Sequence, residues 1–206
     1  MHDDAPTFHQ RQKRANRDAI LDAVERVLTH AGLDELTFLQ IAQEAGVSDR
    51  TVYRHFPTKE ALLEAFWLRV QQTLGMEAST RSWADYLASR PTAFAEMDRR
   101  ERMMRAVLSS GQAREARLKL NPERQAGIRR IIADKVGDLP EPRLTELSAL
   151  VHLLGSAPAW QALKDYWGVE GEAAGRLAAW AVEALAEAAK REAAAQTDNA
   201  HPKADK

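Results

Sequence analysis

A chain of 206 residues that is 45% hydrophobic and 29% charged can bury a sizeable core and is too apolar to be disordered throughout. Its 29 Lys and Arg against 30 Asp and Glu leave a formal charge of -1, which excludes the global basic field of an indiscriminate nucleic-acid binder. Cysteine is absent, so disulfides, thiol nucleophiles and Cys-ligated metal sites are excluded together. Residues 1–6 carry no cationic patch followed by an apolar stretch, so no secretory signal is expected. The longest weakly polar stretch, 147–160, falls short of the ~20 residues of a membrane helix, and a cytoplasmic chain without a membrane span is expected.

Only 10 Gly and 8 Pro punctuate the chain, and apolar residues recur at three and four, which predicts an all-α fold. Ile20, Val24, Val27, Leu28 and Ala31 form one stripe of a first helix over about 14–31, stopped by Gly32. Thr37 stands three residues before Gln40, a capping-box spacing that starts a second helix running to about 45. Ser48 caps a third, short helix over about 49–56, and Pro57-Thr58 restarts the chain. Leu62, Leu63, Phe66, Val70 and Leu74 predict a longer fourth helix from Lys59 to about 74.

Further helices are predicted over about 83–90, 92–109, 122–135, 143–166 and 172–192, with breaks at Pro91, Gly111, Asn121-Pro122 and 137–142. Asn121 reads as a cap with Pro122 at the first helical position, and Pro158 should kink or interrupt its helix. Residues 194–206 read as a disordered tail.

The second and third helices have the dimensions of a helix-turn-helix, whose second helix enters a major groove. Ala42 sits where the two cross, Gly46 where the turn calls for positive φ, and Val52 where the third helix docks back. With Val52 and Phe56 inward, Asp49, Arg50, Thr51, Tyr53, Arg54 and His55 fall on the flanks and outer face. Arg50 suits guanine, Thr51 a thymine methyl or phosphate, and Tyr53 and His55 phosphate oxygens; Lys59 and the helix starts at Thr37 and Thr58 suit the DNA backbone. The alternative for Tyr53 and His55 is packing on the first or fourth helix. Residues 1–60 hold eight Lys or Arg against ten Asp or Glu, a net of -2, with the cations gathered at 11–17 and 50–59. The 11–17 cluster reads either as part of that face or as a solvated arm.

The run TFLQIAQEAGVSDRTVYRHFPTKEALL, from Thr37 to Leu63, resembles the TetR (tetracycline-repressor-like) family signature. The match covers about 14–67 and is strongest at Gly46-Val47-Ser48, Thr51-Val52-Tyr53, His55-Phe56, Lys59-Glu60 and Leu62. The resemblance implies a homodimeric, all-helical transcriptional regulator, usually a repressor released from its operator by a small ligand. It implies phosphate contacts for Thr37, Tyr53, His55 and Lys59, and places Ser48, Arg50 and Thr51 nearest to bases. Arg50 departs from the glycine or other small residue frequent there in the family, so the operator sequence does not carry over.

The expected organisation is a helix-turn-helix DNA-binding domain at 14–60, with the motif at about 37–56. The fourth helix joins it to a helical ligand-binding and dimerisation domain at 61–193. Trp67, Trp83, Tyr86, Phe94, Met97, Met103, Met104 and His152 suit either core or a pocket for an apolar or aromatic effector. Leu147, Val151 and Leu154 on one helix, with Trp180 and Ala184 on the last, suit an intermolecular four-helix bundle, the alternative being an intrachain core. His152 has no second ligand at metal spacing, and the chain lacks a Gly-rich phosphate loop, a His-Glu-x-x-His element and a Ser-centred elbow. The expectation is therefore a non-enzymatic regulator with double-stranded DNA, a second copy of itself and a small-molecule effector as partners, and with no metal or cofactor. The rival expectation is a ligand-independent DNA binder or a helical adaptor.

Overall fold

Thr7 begins the first helix earlier than the apolar stripe predicts. Its Oγ1 accepts from Gln10 N–H at 3.3 Å while Gln10 Oε1 accepts from Thr7 N–H at 2.7 Å, a capping box that a polar first turn hides from periodicity. The computed structural model describes residues 7–76 and 82–200. Over them the chain forms α1 (Phe8–His30), α2 (Phe38–Ala45), α3 (Asp49–His55), α4 (Lys59–Thr73), α5 (Trp83–Arg99), α6 (Glu101–Ser109), α7 (Gly111–Lys119), α8 (Asn121–Val136), α9 (Arg143–Leu154), α10 (Ala157–Trp167) and α11 (Gly171–Ala200). The all-α expectation holds, and among the described residues there is no strand.

The chain divides into two compact units. The first runs to Val70 and takes in Arg100–Lys119; the second takes Gln71–Arg99 and the chain from Leu120 onward. A single cut after residue 60 does not describe this division, because most of α4 and all of α6 and α7 cluster with the first unit.

In the first unit, α1 packs on α2 and α6, and α2 on α3. Ile20, Val24 and Leu28 of α1, Ile41 of α2, Val52 of α3 and Phe56 at its end, Leu62 and Phe66 of α4, and Met103 and Met104 of α6 are all buried. Each such side chain contributes roughly 1.5–3 kcal/mol by leaving water. Outside this core, α1 carboxylates are held by arginines distant in sequence. Asp22 pairs with Arg69, which also reaches Asp18 at 3.8 Å, and Glu25 accepts from Arg100 Nε at 2.8 Å. α7 was expected only as a break at Gly111. Its inward residues, Ala113 and Ala116, are too small to show as an apolar stripe.

In the second unit α5 and α11 make the most extensive pairing, and α8, α9 and α10 complete the bundle. Trp83, Tyr86, Ile128, Ile131, Ile132, Leu147, Val151 and Val182 form its core. Pro91 does not break the helix as expected, since α5 runs through it to Arg99. Tyr86 carbonyl accepts from Ser89 Oγ at 2.9 Å and Arg90 Nε at 3.1 Å, and Gly175 of α11 brings its backbone against Arg90 and Pro91. The carbonyl that Pro91 leaves without its helical N–H is that of Leu87, four residues back; the two side-chain donors reinforce the turn before it, and the close approach of Gly175 packs the proline against α11. The chain leaves helical geometry at Arg100 instead, at φ -111° and ψ 26°.

Two more boundaries differ. Asn121 is the first residue of α8 and not its cap; the cap position is Leu120, which makes no side-chain bond. The helix expected over 143–166 is interrupted at Gly155-Ser156, with Pro158 in the first turn of α10, where a missing N–H costs nothing. α11 continues to Ala200, past the expected start of a disordered tail at 194, as alanine's high helix propensity favours. Residues 201–206 of that expected tail lie outside the described residues.

Candidate nucleic-acid interface

The turn between α2 and α3 is fixed by three local devices. Thr37 Oγ1 accepts from Gln40 N–H at 3.2 Å and Gln40 Oε1 accepts from Thr37 N–H at 3.0 Å, completing the expected capping box. Gly46 ends α2 at φ 66°, the left-handed conformation expected of it, and Val47 N–H returns to the Ala42 carbonyl at 3.0 Å. Ser48 Oγ then accepts from Thr51 N–H at 3.2 Å and starts α3. Ala42, Val52 and Phe56 are buried as expected, so the outward face of α3 follows from helix geometry.

That face presents Arg50, Tyr53 and Arg54 to solvent, with Thr51 and His55 half-buried on its flanks. Among the described residues neither Arg50 nor Arg54 has an ion-pair partner, so both guanidiniums remain available to an external anion. Tyr53 is 55% exposed but fixed at its base: its ring meets Phe38 edge-on, with centroids 4.6 Å apart. Thr51 Oγ1 lies 2.9 Å from Ser48 Oγ, which ties the first turn together. Phe38, absent from the sequence-level site, is legible in hindsight as the aromatic opening α2.

Three expected contact residues are engaged within the protein. Lys59 Nζ donates to the Leu33 carbonyl at 3.1 Å, anchoring α4 to the turn after α1. Thr37 spends its side chain on the capping box. His55 Nε2 is buried without a hydrogen-bond partner, away from open surface. Burial, followed by the charges of Arg54, Lys13 and Arg17, holds its pKa below the ordinary histidine value, so the ring is neutral at pH 7. Arg17 lies with Cζ 4.7 Å from the Phe56 ring centroid, which joins the basic end of α1 to the base of α3.

The expected pocket residues are divided between the two units. Trp67, Met103 and Met104 belong to the first unit, whereas Trp83, Tyr86, Phe94, Met97 and His152 belong to the second. All except His152 are buried, and Trp83 and Tyr86 are core members. The expected dimerisation set divides as well. Leu147 and Val151 are buried within their own unit and Leu154 packs partly against the same core, while Trp180 is 69% exposed and Ala184 is also exposed. The unpartnered flank of α9 is Leu150 and Leu153 instead, one helical position round from the stripe that the core takes.

Residues 20–66 match the family model described as bacterial regulatory proteins, tetR family. Over 84 residues the chain is 31% identical to the tetracycline repressor protein class D of Escherichia coli, covering 39% of this chain and 38% of that protein. It is 33% identical over 94 residues to the nucleoid occlusion factor SlmA of Aliivibrio fischeri, covering 41% of this chain and 48% of that one. These alignments thus span less than half the length of the curated relatives. In fold the chain is similar to NalD, described as the secondary repressor of the MexAB-OprM multidrug efflux pump in Pseudomonas aeruginosa. That likeness has a TM-score of 0.59 at 19% identity, over 87% of this chain and 96% of NalD. A transcriptional regulator from Rhodococcus sp. RHA1 also gives 0.59, at 18% identity over 84% and 97% of the two chains. Among the described residues no helix is long and apolar enough to cross a membrane. The capped, glycine-turned helix pair lies within residues 20–66, the stretch of the chain that is similar to the tetR family of bacterial regulatory proteins.

Proposed function

We propose that the chain is a sequence-specific DNA-binding transcriptional repressor that acts as a homodimer on a palindromic operator and is released by a small-molecule effector. The observation that carries the DNA-binding part is the outer face of α3. Its Arg50 and Arg54 guanidiniums have no ion-pair partner among the described residues, on a helix whose orientation Val52, Phe56 and Gly46 fix. Arg50 reads bases, and Thr51, Tyr53 and Arg54 hold phosphates. Repression is carried over from the names of two similar proteins, the tetracycline repressor and NalD. Two copies of α3 in successive major grooves stand about 34–36 Å apart, and the exposed Leu150, Leu153 and Trp180 supply the surface that pairs the copies. An effector in the second unit releases DNA only if it binds the released state more tightly than the DNA-bound one.

Selection of sites from a random duplex pool with the purified chain, followed by a salt series on the winner, tests this. An enriched inverted repeat is expected, with affinity falling steeply as salt rises. Arg50→Ala should cost about 1–3 kcal/mol in operator discrimination. Lys59→Ala should weaken all sequences alike, since Lys59 holds the backbone of the turn after α1. No enriched sequence, with no binding even at low salt, would overturn the reading.

A further inference from the structure

Arginine stays charged in proteins and is almost never fully buried without a partner for its charge. Arg90 is 2% exposed, yet its hydrogen-bond acceptors are all neutral. Nε donates to the Tyr86 carbonyl at 3.1 Å, Nη1 to the Gly155 carbonyl at 2.9 Å and Nη2 to Ser89 Oγ at 2.9 Å. Gly155 is the C-cap of α9, so the negative end of that helix's dipole compensates part of the Arg90 charge. The contact is close: a Cβ on Gly155 would stand 2.0 Å from Tyr86 Oη, whose proton goes to the Val151 carbonyl at 2.8 Å.

Arg124 of α8 has no such compensation. It is half-buried, and its one side-chain bond among the described residues runs from Nη1 to His152 Nε2 at 3.3 Å. Because arginine has no acceptor, His152 Nε2 accepts and the imidazole proton resides on Nδ1. Burial first, and the Arg124 charge second, push the His152 pKa down to about 4, so this ring carries no charge at pH 7. Burial and then Arg90 lower the pKa of Arg124 itself. Among the described residues neither guanidinium has a carboxylate within 4 Å. Acids of the same unit are committed elsewhere: Glu183 accepts from Trp83 Nε1 and Lys135, and Asp98 from Trp160 Nε1 and Lys164.

Two guanidiniums of the second unit therefore lack a carboxylate: Arg90, buried and bonded to neutral acceptors, and Arg124, half-buried in the unit whose core includes Tyr86, Ile128 and Val151. We propose that Arg124, backed by Arg90 and flanked by His152, receives the carboxylate of an organic acid, which is the effector of this regulator. Four of the five Arg124 N–H donors remain for a planar anion, a match to the two oxygens of a carboxylate. One guanidinium with free donors calls for one carboxylate, and the apolar core of the same unit calls for a carbon body behind it. This inference rests on reading the second unit as the effector domain.

The test uses the full chain and measures its thermal midpoint at constant ionic strength, replacing sodium chloride by sodium benzoate, sodium octanoate or sodium phosphate, with benzamide as the uncharged control. At least one carboxylate should raise the wild-type midpoint, benzamide should not, and Arg124→Met should lose about tenfold to a hundredfold in affinity for that carboxylate. Arg124→Met without ligand should melt at or above the wild type, because it removes an uncompensated charge and keeps the apolar stem. A structural Arg124 predicts the reverse, a lower midpoint with the carboxylate response intact, and that result overturns the proposal. So does the absence of a shift with either carboxylate, an equal shift with benzamide, or a larger one with phosphate. Site selection with the wild-type chain, set beside its carboxylate response, separates the two readings. Operator binding without a carboxylate response sinks this proposal alone, whereas a carboxylate response without operator binding sinks the regulator.

Discussion

Substituting Gly175 by alanine sets helix propensity against helix packing, and the two predict opposite signs. Inside a helix such as α11, alanine is about 1 kcal/mol better than glycine. A Cβ at this position, however, would stand 2.4 Å from the Arg90 carbonyl oxygen and 2.5 Å from Pro91 Cα. Both atoms are backbone of α5, so no rotamer change relieves the contact. Restoring ordinary separation requires α5 and α11 to part by about 1 Å, across the principal helix pair of the second unit. Overpacking costs about 1–3 kcal/mol, and a backbone obstruction belongs at the upper end. The expected net loss is therefore about 2 kcal/mol, or about 4–8 °C in the thermal midpoint for a chain of this size. Urea unfolding followed by circular dichroism and by tryptophan fluorescence measures it, with Ala184→Gly as the exposed control on the same helix, expected to lose about 1 kcal/mol. A Gly175→Ala protein as stable as the wild type, or more so, would refute the close approach.

At Gly46, by contrast, a Cβ meets nothing within 4 Å and only the φ of 66° opposes it, so Gly46→Ala should lose about 1–2 kcal/mol by urea unfolding, and Gly46→Asn less. Leu153→Glu combined with Trp180→Glu should shift sedimentation toward the monomer with unchanged circular dichroism; a persistent dimer would place the interface elsewhere. His152 is neutral in the folded chain down to about pH 4 and protonates near 6.5 when unfolded, so its contribution to stability is complete above pH 6.5 and is lost as pH falls through 4. His152→Gln should accordingly lose less stability than the wild type between pH 7 and 5, and equal losses would show that the ring is not desolvated.

The helix-turn-helix was legible because its determinants are local. Capping boxes, a left-handed glycine and an N-cap serine act within four residues, and Thr37, Gly46 and Ser48 each do what their spacing predicts. The second unit was less legible because its boundaries depend on contacts between distant segments. Pro91 remains in a helix packed closely against Gly175, and that glycine lies in α11. The stripe on α9 was visible, but which flank faces its own core was not: Leu147 and Val151 turn inward, leaving Leu150 and Leu153 outside. Arg90 does carry a signal in the sequence. It falls at helical spacing from Trp83 and Tyr86, a cation in register with an apolar stripe.

Charge shows why a sum over a segment misjudges a surface. Residues 1–60 total -2, which argues against an anionic partner. Yet Asp18, Asp22 and Glu25 meet Arg69 and Arg100, cations from outside that stretch of sequence that fold against α1, and Glu44 meets Arg26. Exposed pairs of this kind add little to stability, at roughly 0–1 kcal/mol each. Their consequence is electrostatic, since neutralised carboxylates no longer oppose the field of Lys13, Arg17, Arg50 and Arg54. At His55 burial lowers the pKa of the ring most, and the charges of Arg54, Lys13 and Arg17 each lower it further. A surface that disfavours one more proton on its own histidine favours an anion brought from outside, and this holds for a chain whose overall charge is only -1.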